Sequence, residues 1–113
     1  MSGKFVISKT SNGKFHFVLK AGNGETILVS QMYAMLDDAK AGVESVRANS
    51  ADETRFQKLK SKKDEPYFTL TASNGQIVGQ SEMYSSERAR DNGIDSVRRN
   101  APAATVDDRS AEA

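Results

Sequence analysis

The chain has 113 residues, of which 37% are hydrophobic and 27% charged, so it is hydrophobic enough to fold as one small domain with a shared core. Sixteen basic and fifteen acidic residues leave a net charge of +1, which excludes a strong overall field for attracting nucleic acid or acidic membranes. The absence of cysteine excludes disulfides, thiolate nucleophiles and zinc–thiolate sites.

An internal repeat runs through the chain at a constant spacing of 51 residues. Three pairs of segments match without a gap: FVLKAGNG at 17–24 with FTLTASNG at 68–75, SQMY at 30–33 with SEMY at 81–84, and GVESVRAN at 42–49 with GIDSVRRN at 93–100. The repeat predicts a single domain of two units, residues 1–52 and 53–104. Residues 105–113 follow as a mobile tail or a short edge strand.

In the first repeat, apolar residues alternate at Phe15, Phe17 and Leu19, which is typical of a half-buried strand. Asn12-Gly13 precedes this strand and Asn23-Gly24 follows it, and Asn-Gly favours hairpin turns with positive φ at both central residues. Residues 4–30 are therefore predicted to form a three-stranded meander. A helix is predicted to follow the meander, because apolar residues recur there at spacings of three and four: Leu36, Ala39, Val43 and Val46.

The second repeat follows the same plan, with strands predicted at 56–60, 67–72 and 77–81 and a thinner apolar helical stripe. Ser85 is predicted to cap this helix. Gly42 and Gly93 lie in the middle of the two helical patterns. Either the helices are interrupted there, or close packing against the sheet leaves no room for a side chain.

Neither repeat can close a core alone, because each meander buries one face and each helix offers one apolar stripe. The sequence therefore predicts an α+β fold in which two β-β-β-α units form one antiparallel sheet with both helices packed on one face.

The run from Phe68 to Gly75, the SEMY segment and the following GIDSVRRNA resemble the YegP-like family of small bacterial proteins, a domain of unknown function. The resemblance implies a further strand after each helix, with the two units exchanging their last strands. No catalytic residues come with it. The second repeat departs from the first at Gly79 and Gln80, where the first has Leu28 and Val29, so exact symmetry is not expected.

Side chains that could carry catalysis lack the partners that catalysis requires. His16 is the only histidine, which argues against a metal site, and no base accompanies the recurring serines at 30, 45, 81 and 96. We expect these hydroxyls to bond nearby backbone, and Tyr33 and Tyr84 to pack at the corner between strand and helix. The segment Ala21–Gly24 joins two strands and is a turn, not a phosphate-binding loop. No enzymatic activity and no cofactor are predicted.

The basic residues are mostly interspersed with acids along the helices, which is typical of a solvated face. A tighter group surrounds one hairpin, at Lys58, Lys60, Lys62 and Lys63, where lysines usually protect a sheet edge.

The sheet face without helices is assigned His16, Val18, Lys20, Tyr67, Thr69 and Thr71 by strand parity. The candidate binding surface comprises His16, Lys20, Tyr67, Thr69, Thr71, Arg47 and Arg98. The leading hypothesis is a cytoplasmic, non-catalytic interaction module that binds another protein or a copy of itself and does not enter membranes. The alternative is a weak binder of single-stranded nucleic acid through this face and the lysine-rich hairpin. A small enzyme is the least favoured hypothesis, because it would need a deep pocket near the two tyrosines and the two arginines.

Overall fold

The computed structural model describes residues 3–111. Within them it shows an α+β fold of two layers, as predicted, with one sheet of seven strands and two α-helices. Neighbouring strands are antiparallel except at one edge, where the last strand is parallel to the first. The order across the sheet is β4-β5-β6-β3-β2-β1-β7. The elements are β1 (Lys4–Lys9), β2 (Phe15–Lys20), β3 (Thr26–Val29), α1 (Leu36–Asn49), β4 (Phe56–Lys60), β5 (Pro66–Thr71), β6 (Ile77–Gln80), α2 (Glu87–Asn100) and β7 (Thr105–Asp108).

Strand β7 occupies part of the segment for which the sequence left a mobile tail or an edge strand open. It lies parallel to β1, with the Arg109 N–H donating to the Ile7 carbonyl at 2.8 Å. A strand that follows the second repeat thus completes the sheet beside the first repeat, as the family resemblance implied. The expectation of a strand after each helix was wrong for the first repeat, in which a short turn of helix leads from α1 into β4. The two units therefore do not exchange strands, and β4 forms the other edge of the sheet.

The core lies between the sheet and the two helices, which share one face. Alternate strand residues point into it, and the largest side chains that are fully buried include Phe5, Phe17 and Phe68. Helix α1 contacts β5 and β6 of the second repeat, and α2 contacts β3 of the first. Because each helix covers strands of the other repeat, the two halves share one interior.

Both helices run unbroken through their central glycines, so the close-packing explanation of Gly42 and Gly93 is the right one. A Cβ atom added at Gly42 would lie 2.5 Å from the Tyr33 hydroxyl oxygen and 2.9 Å from the Phe17 ring, and Gly93 meets Tyr84 in the same way. The Tyr33 and Phe17 rings stack with centroids 6.3 Å apart. Burial raises the pKa of the Tyr33 phenol. The tyrosines therefore pack under the helices, as predicted.

The predicted cap of α2 was wrong by one residue. Ser86, rather than Ser85, is the N-cap, and its hydroxyl oxygen accepts a hydrogen bond from the Ala89 N–H at 3.1 Å. The two adjacent serines have the same capping chemistry, so the choice between them depends on where the chain leaves the sheet.

The hairpin turns also differ from the prediction, because only the glycine of each Asn-Gly pair has positive φ. In the first loop, the Gly13 N–H donates to the Thr10 carbonyl, and the Thr10 N–H donates to the Lys14 carbonyl. This pattern is a three-residue loop whose last residue is left-handed. The β4–β5 loop has the same hydrogen bonds, but Asp64 occupies the left-handed position at φ 64°.

We expect Asp64→Gly to stabilise the protein by about 0.5–1 kcal/mol, because glycine adopts left-handed φ without steric cost. The ion pair that is lost, Lys60 with Asp64 at 3.8 Å, is exposed and contributes little. Urea denaturation measures the change. The reverse exchange Gly75→Asp, in the equivalent position of another hairpin, should destabilise; equal stability of all three proteins would contradict the assignment.

The repeats meet at β3 and β6, where Val29 pairs with Gln80. Leu28 and Gly79 are equivalent positions of the two repeats, and both lie on the core side of this junction. A Cβ atom at Gly79 would lie 2.7 Å from the Leu28 side chain. Only one of the two positions can therefore carry a large side chain, which explains why the repeats differ here.

A double-mutant cycle tests this steric relation. Leu28→Ala should cost about 2–5 kcal/mol through the cavity it leaves, and Gly79→Ala about 1–3 kcal/mol through overpacking. The double variant should lose less than the sum of the two, because the alanine at position 79 enters space that the leucine vacated. Strictly additive losses in urea denaturation would show that the two positions do not compete for space.

Candidate functional site

The sheet face without helices carries a row of side chains that crosses every strand. From one edge to the other, directly paired residues are Gln57, Thr69, Gln80, Val29, Val18, Val6 and Asp107. Val6, Val18 and Val29 are named here the valine row. Val29 is 38% exposed and the other two are half-buried. The first repeat thus presents an apolar strip where the second presents polar side chains.

Three of the predicted binding residues lie on this face and are half-buried: His16, Lys20 and Tyr67. His16 and Tyr67 occupy equivalent positions of the two repeats, in β2 and β5, with β3 and β6 between these strands. Three strand spacings separate the two strands by about 14 Å. Because β2 and β5 are antiparallel, His16 and Tyr67 also lie on opposite sides of the Val18–Thr69 row, which brings their separation to about 20 Å. They cannot contact each other, which excludes a paired catalytic function for them.

Thr69 and Thr71 were wrongly predicted to be available for binding, since they are only 2% and 8% exposed. The Thr69 hydroxyl donates to the Gln57 side chain at 3.3 Å, and the Thr71 hydroxyl donates to the Arg55 carbonyl at 3.0 Å. Their parity is as predicted, but these short side chains are recessed between longer neighbours. Strand alternation specifies the face of a residue and not its depth.

Arg47 and Arg98 belong to the helical layer, so they do not join the other five residues in one surface. The Arg47 guanidinium lies 5.2 Å from the centre of the Phe5 ring, and its Nη1 donates to the Pro102 carbonyl at 3.2 Å. Arg47 therefore links α1 to the segment leading into β7. Among the described residues, the buried Nε atom of Arg98 has no hydrogen-bond partner.

Two of the four recurring serines, Ser30 and Ser81, bond the backbone, as predicted, whereas the prediction was wrong for Ser45 and Ser96. The Ser30 hydroxyl accepts from the Phe17 N–H at 2.8 Å and donates to the Gln31 carbonyl at 2.8 Å, and Ser81 makes the same bonds in the second repeat. These hydroxyls satisfy strand donors at the point where the chain leaves the sheet. Ser45 and Ser96 accept from asparagine side chains at the ends of their helices.

We expect Ser30→Ala to destabilise the protein by about 1–3 kcal/mol, because the buried Phe17 N–H would lose its side-chain acceptor. Thermal or urea denaturation measures the loss. The matched control is Ser45→Ala, which removes a hydroxyl from a partly exposed helix surface and should cost less. A Ser30→Ala protein as stable as the parent would show that this bond contributes nothing.

The sequence did not reveal a charged cluster between β4 and α2. Asp91 lies 3.3 Å from the Lys58 ammonium and 3.2 Å from the Arg90 guanidinium, and Arg90 is only 6% exposed. Desolvation acts to raise the pKa of Asp91, but hydrogen bonds from Lys58 and Arg90 outweigh it and hold that pKa below its usual value. Arg90 occupies the position that Ala39 has in the first repeat. This difference between the repeats is the sequence feature that could have revealed the cluster.

No deep pocket surrounds the tyrosines and arginines in the described part of the chain. The cavity beside Tyr33 has a volume of about 280 Å³ and is not lined by Tyr84, Arg47 or Arg98. Residues 3–111 contain no group of three or more side chains that could hold a metal ion. Neither described helix is long and apolar enough to cross a membrane.

Comparison with known proteins agrees with this architecture. The family model described as "Domain of unknown function (DUF1508)" matches residues 10–57 and 61–108. A UPF0339 protein of Shewanella oneidensis is 54% identical over 96% of this chain and 98% of its own length. UPF0339 protein YegP of Escherichia coli is 46% identical over 97% of this chain and 100% of its own length.

Two solved structures have the same fold. The solution NMR structure of a UPF0339 protein from Shewanella oneidensis matches with a TM-score of 0.93 at 53% identity, covering 99% of this chain and 95% of its own. That of the E. coli protein yegP, described as of unknown function, matches with a TM-score of 0.94 at 45% identity, covering 100% and 97%. The chain therefore belongs to the DUF1508 family, as a member with two repeats.

Proposed function

We propose that this chain is a non-catalytic module that binds another protein through the valine row. The relatives described above come from bacteria, and their names assign no activity or ligand. The arrangement of side chains on the uncovered face is therefore the main support. We also propose that the protein acts in the cytoplasm, with which the absence of cysteine is consistent.

The observation that carries the proposal is the difference between the two halves of one face. Val6, Val18 and Val29 have Gln57, Thr69 and Gln80 as their equivalents on the same backbone framework. The fold therefore does not require valine at these positions. A partly exposed strip of aliphatic side chains with polar surroundings is typical of a protein-binding surface.

The alternative of single-stranded nucleic acid has less support. Bases stack on aromatic rings, and the centre of this face is aliphatic. Its aromatic residues, Tyr67 and His16, are half-buried and lie on opposite sides of the central row. The lysine-rich hairpin is also partly neutralised, since Lys58 pairs with Asp91 at 3.3 Å and Lys60 pairs with Asp64 at 3.8 Å.

Site-directed photocrosslinking in the native cell tests the proposal. A photoreactive amino acid at Gln80, which pairs directly with Val29, should capture a discrete protein, whereas the same probe at Asp95 on α2 should not. Val29→Gln places the residue of the second repeat in the first. It should reduce capture about threefold, because the 38% of Val29 that is exposed contributes about 0.6 kcal/mol when a partner buries it.

Met35→Gln is the control, because it removes a side chain that is 60% exposed but lies outside the valine row. It should leave capture unchanged, and both variants should keep the stability of the parent. Equal capture from Gln80 with and without Val29, or capture of this chain alone, would contradict the proposal.

A further inference from the structure

Two adjoining clefts flank the β2–β3 loop. The first, named here the lysine cleft, has a volume of about 440 Å³ and is lined by Lys4, Lys20, Thr105 and the loop residues 21–24. The second, of about 590 Å³, lies on the other side of the same loop and is lined by Arg99 and Asn100. No carboxylate side chain lines either cleft. The region is therefore locally basic although the whole chain is almost neutral.

The two lysines of the cleft are direct neighbours. Lys4 in β1 pairs in register with Lys20 in β2, and like charges placed opposite each other destabilise a sheet. Nearby acidic groups neutralise the positive charges of these two lysines only weakly. The Asp107 carboxylate is 3.9 Å from the Lys4 ammonium, and Lys20 forms no ion pair with any described residue.

The second repeat shows that the fold does not need this pair. The equivalents of Lys4 and Lys20 are Arg55 and Thr71. Arg55 forms an ion pair with Asp52 at 3.5 Å, and the Thr71 hydroxyl bonds the Arg55 carbonyl. One cation is thus paired locally and the other is absent. Only the first repeat places two neighbouring lysines against its β2–β3 loop.

The loop that lines the cleft also carries backbone donors that have no partner in the described part of the chain. Among residues 3–111, the N–H groups of Gly22 and Asn23 have no hydrogen-bond partner, while the Asn23 side chain accepts from the Glu25 N–H at 3.0 Å. Gly22 and Asn23 line both clefts. Phosphate oxygens form strong, charge-assisted bonds with ammonium groups and also accept from backbone N–H groups.

We propose that the lysine cleft binds a small phosphate-bearing anion. Lys4 and Lys20 supply the charge, and the loop backbone supplies neutral donors. The site differs from a glycine-rich phosphate loop, because this loop joins two strands and the lysines come from the sheet beside it. The proposal is independent of the valine row.

A titration of the full chain with inorganic pyrophosphate, followed by amide NMR spectra, tests the site. We expect saturable shifts concentrated at Lys4, Gly22, Asn23 and Thr105. Lys20→Thr installs the residue of the equivalent position in the second repeat and should weaken binding about tenfold, as expected for loss of one charge-assisted bond. Lys14→Thr, at the residue just before β2, removes the same charge and should change the affinity less than twofold.

Titrations with other phosphate compounds distinguish a free phosphate from a nucleotide as the ligand. Adenosine diphosphate that binds with additional shifts outside the cleft would support the proposal and identify a nucleotide; binding of pyrophosphate alone would support a free phosphate. Equal weakening by Lys14→Thr and Lys20→Thr would overturn it in favour of non-specific charge. It would also be overturned by the absence of saturation with pyrophosphate, or by saturation with oligothymidylate only.

Discussion

The architecture depends on one junction, the contact between β3 and β6, where the two repeats become one sheet. Leu28 fills the interior at this point, and Gly79 leaves the space for it, because a Cβ atom at position 79 would lie 2.7 Å from the leucine. Two identical repeats would place two leucines in the same volume. The halves can therefore join only if at least one of the two positions carries a small side chain, and each helix then covers strands of the other repeat.

Once the halves are joined, the faces away from the core are free to differ. The two repeats keep the same hydroxyl bonds at Ser30 and Ser81. They also keep a helix glycine at the position where Tyr33 or Tyr84 packs against the helix. The uncovered face does not keep such equivalence, since the positions that carry valine in the first repeat carry glutamine or threonine in the second. Because the backbone tolerates both sets, the differences are more informative about binding than the similarities.

The candidate surface was predictable only in part. Period-two alternation placed His16, Lys20 and Tyr67 on the uncovered face, because side-chain direction in a strand follows from local geometry. It could not show that Thr69 and Thr71 are recessed, since their depth depends on Gln57, Arg55 and other neighbours that are distant in sequence. Nor could it place the helix arginines, because Arg47 is held by the backbone of residues 101 and 102.

The sequence alone determined the repeat, the order of strands and helices, and the α+β class, because each of these follows from local hydrophobic periodicity and turn residues. Tertiary structure decided which strands meet, that β7 joins β1 in parallel, and why glycine stands at positions 42, 79 and 93. It also brought Lys4 and Lys20 together beside one loop. These features arise from contacts between segments far apart in the chain, and no local pattern encodes the distance between such segments.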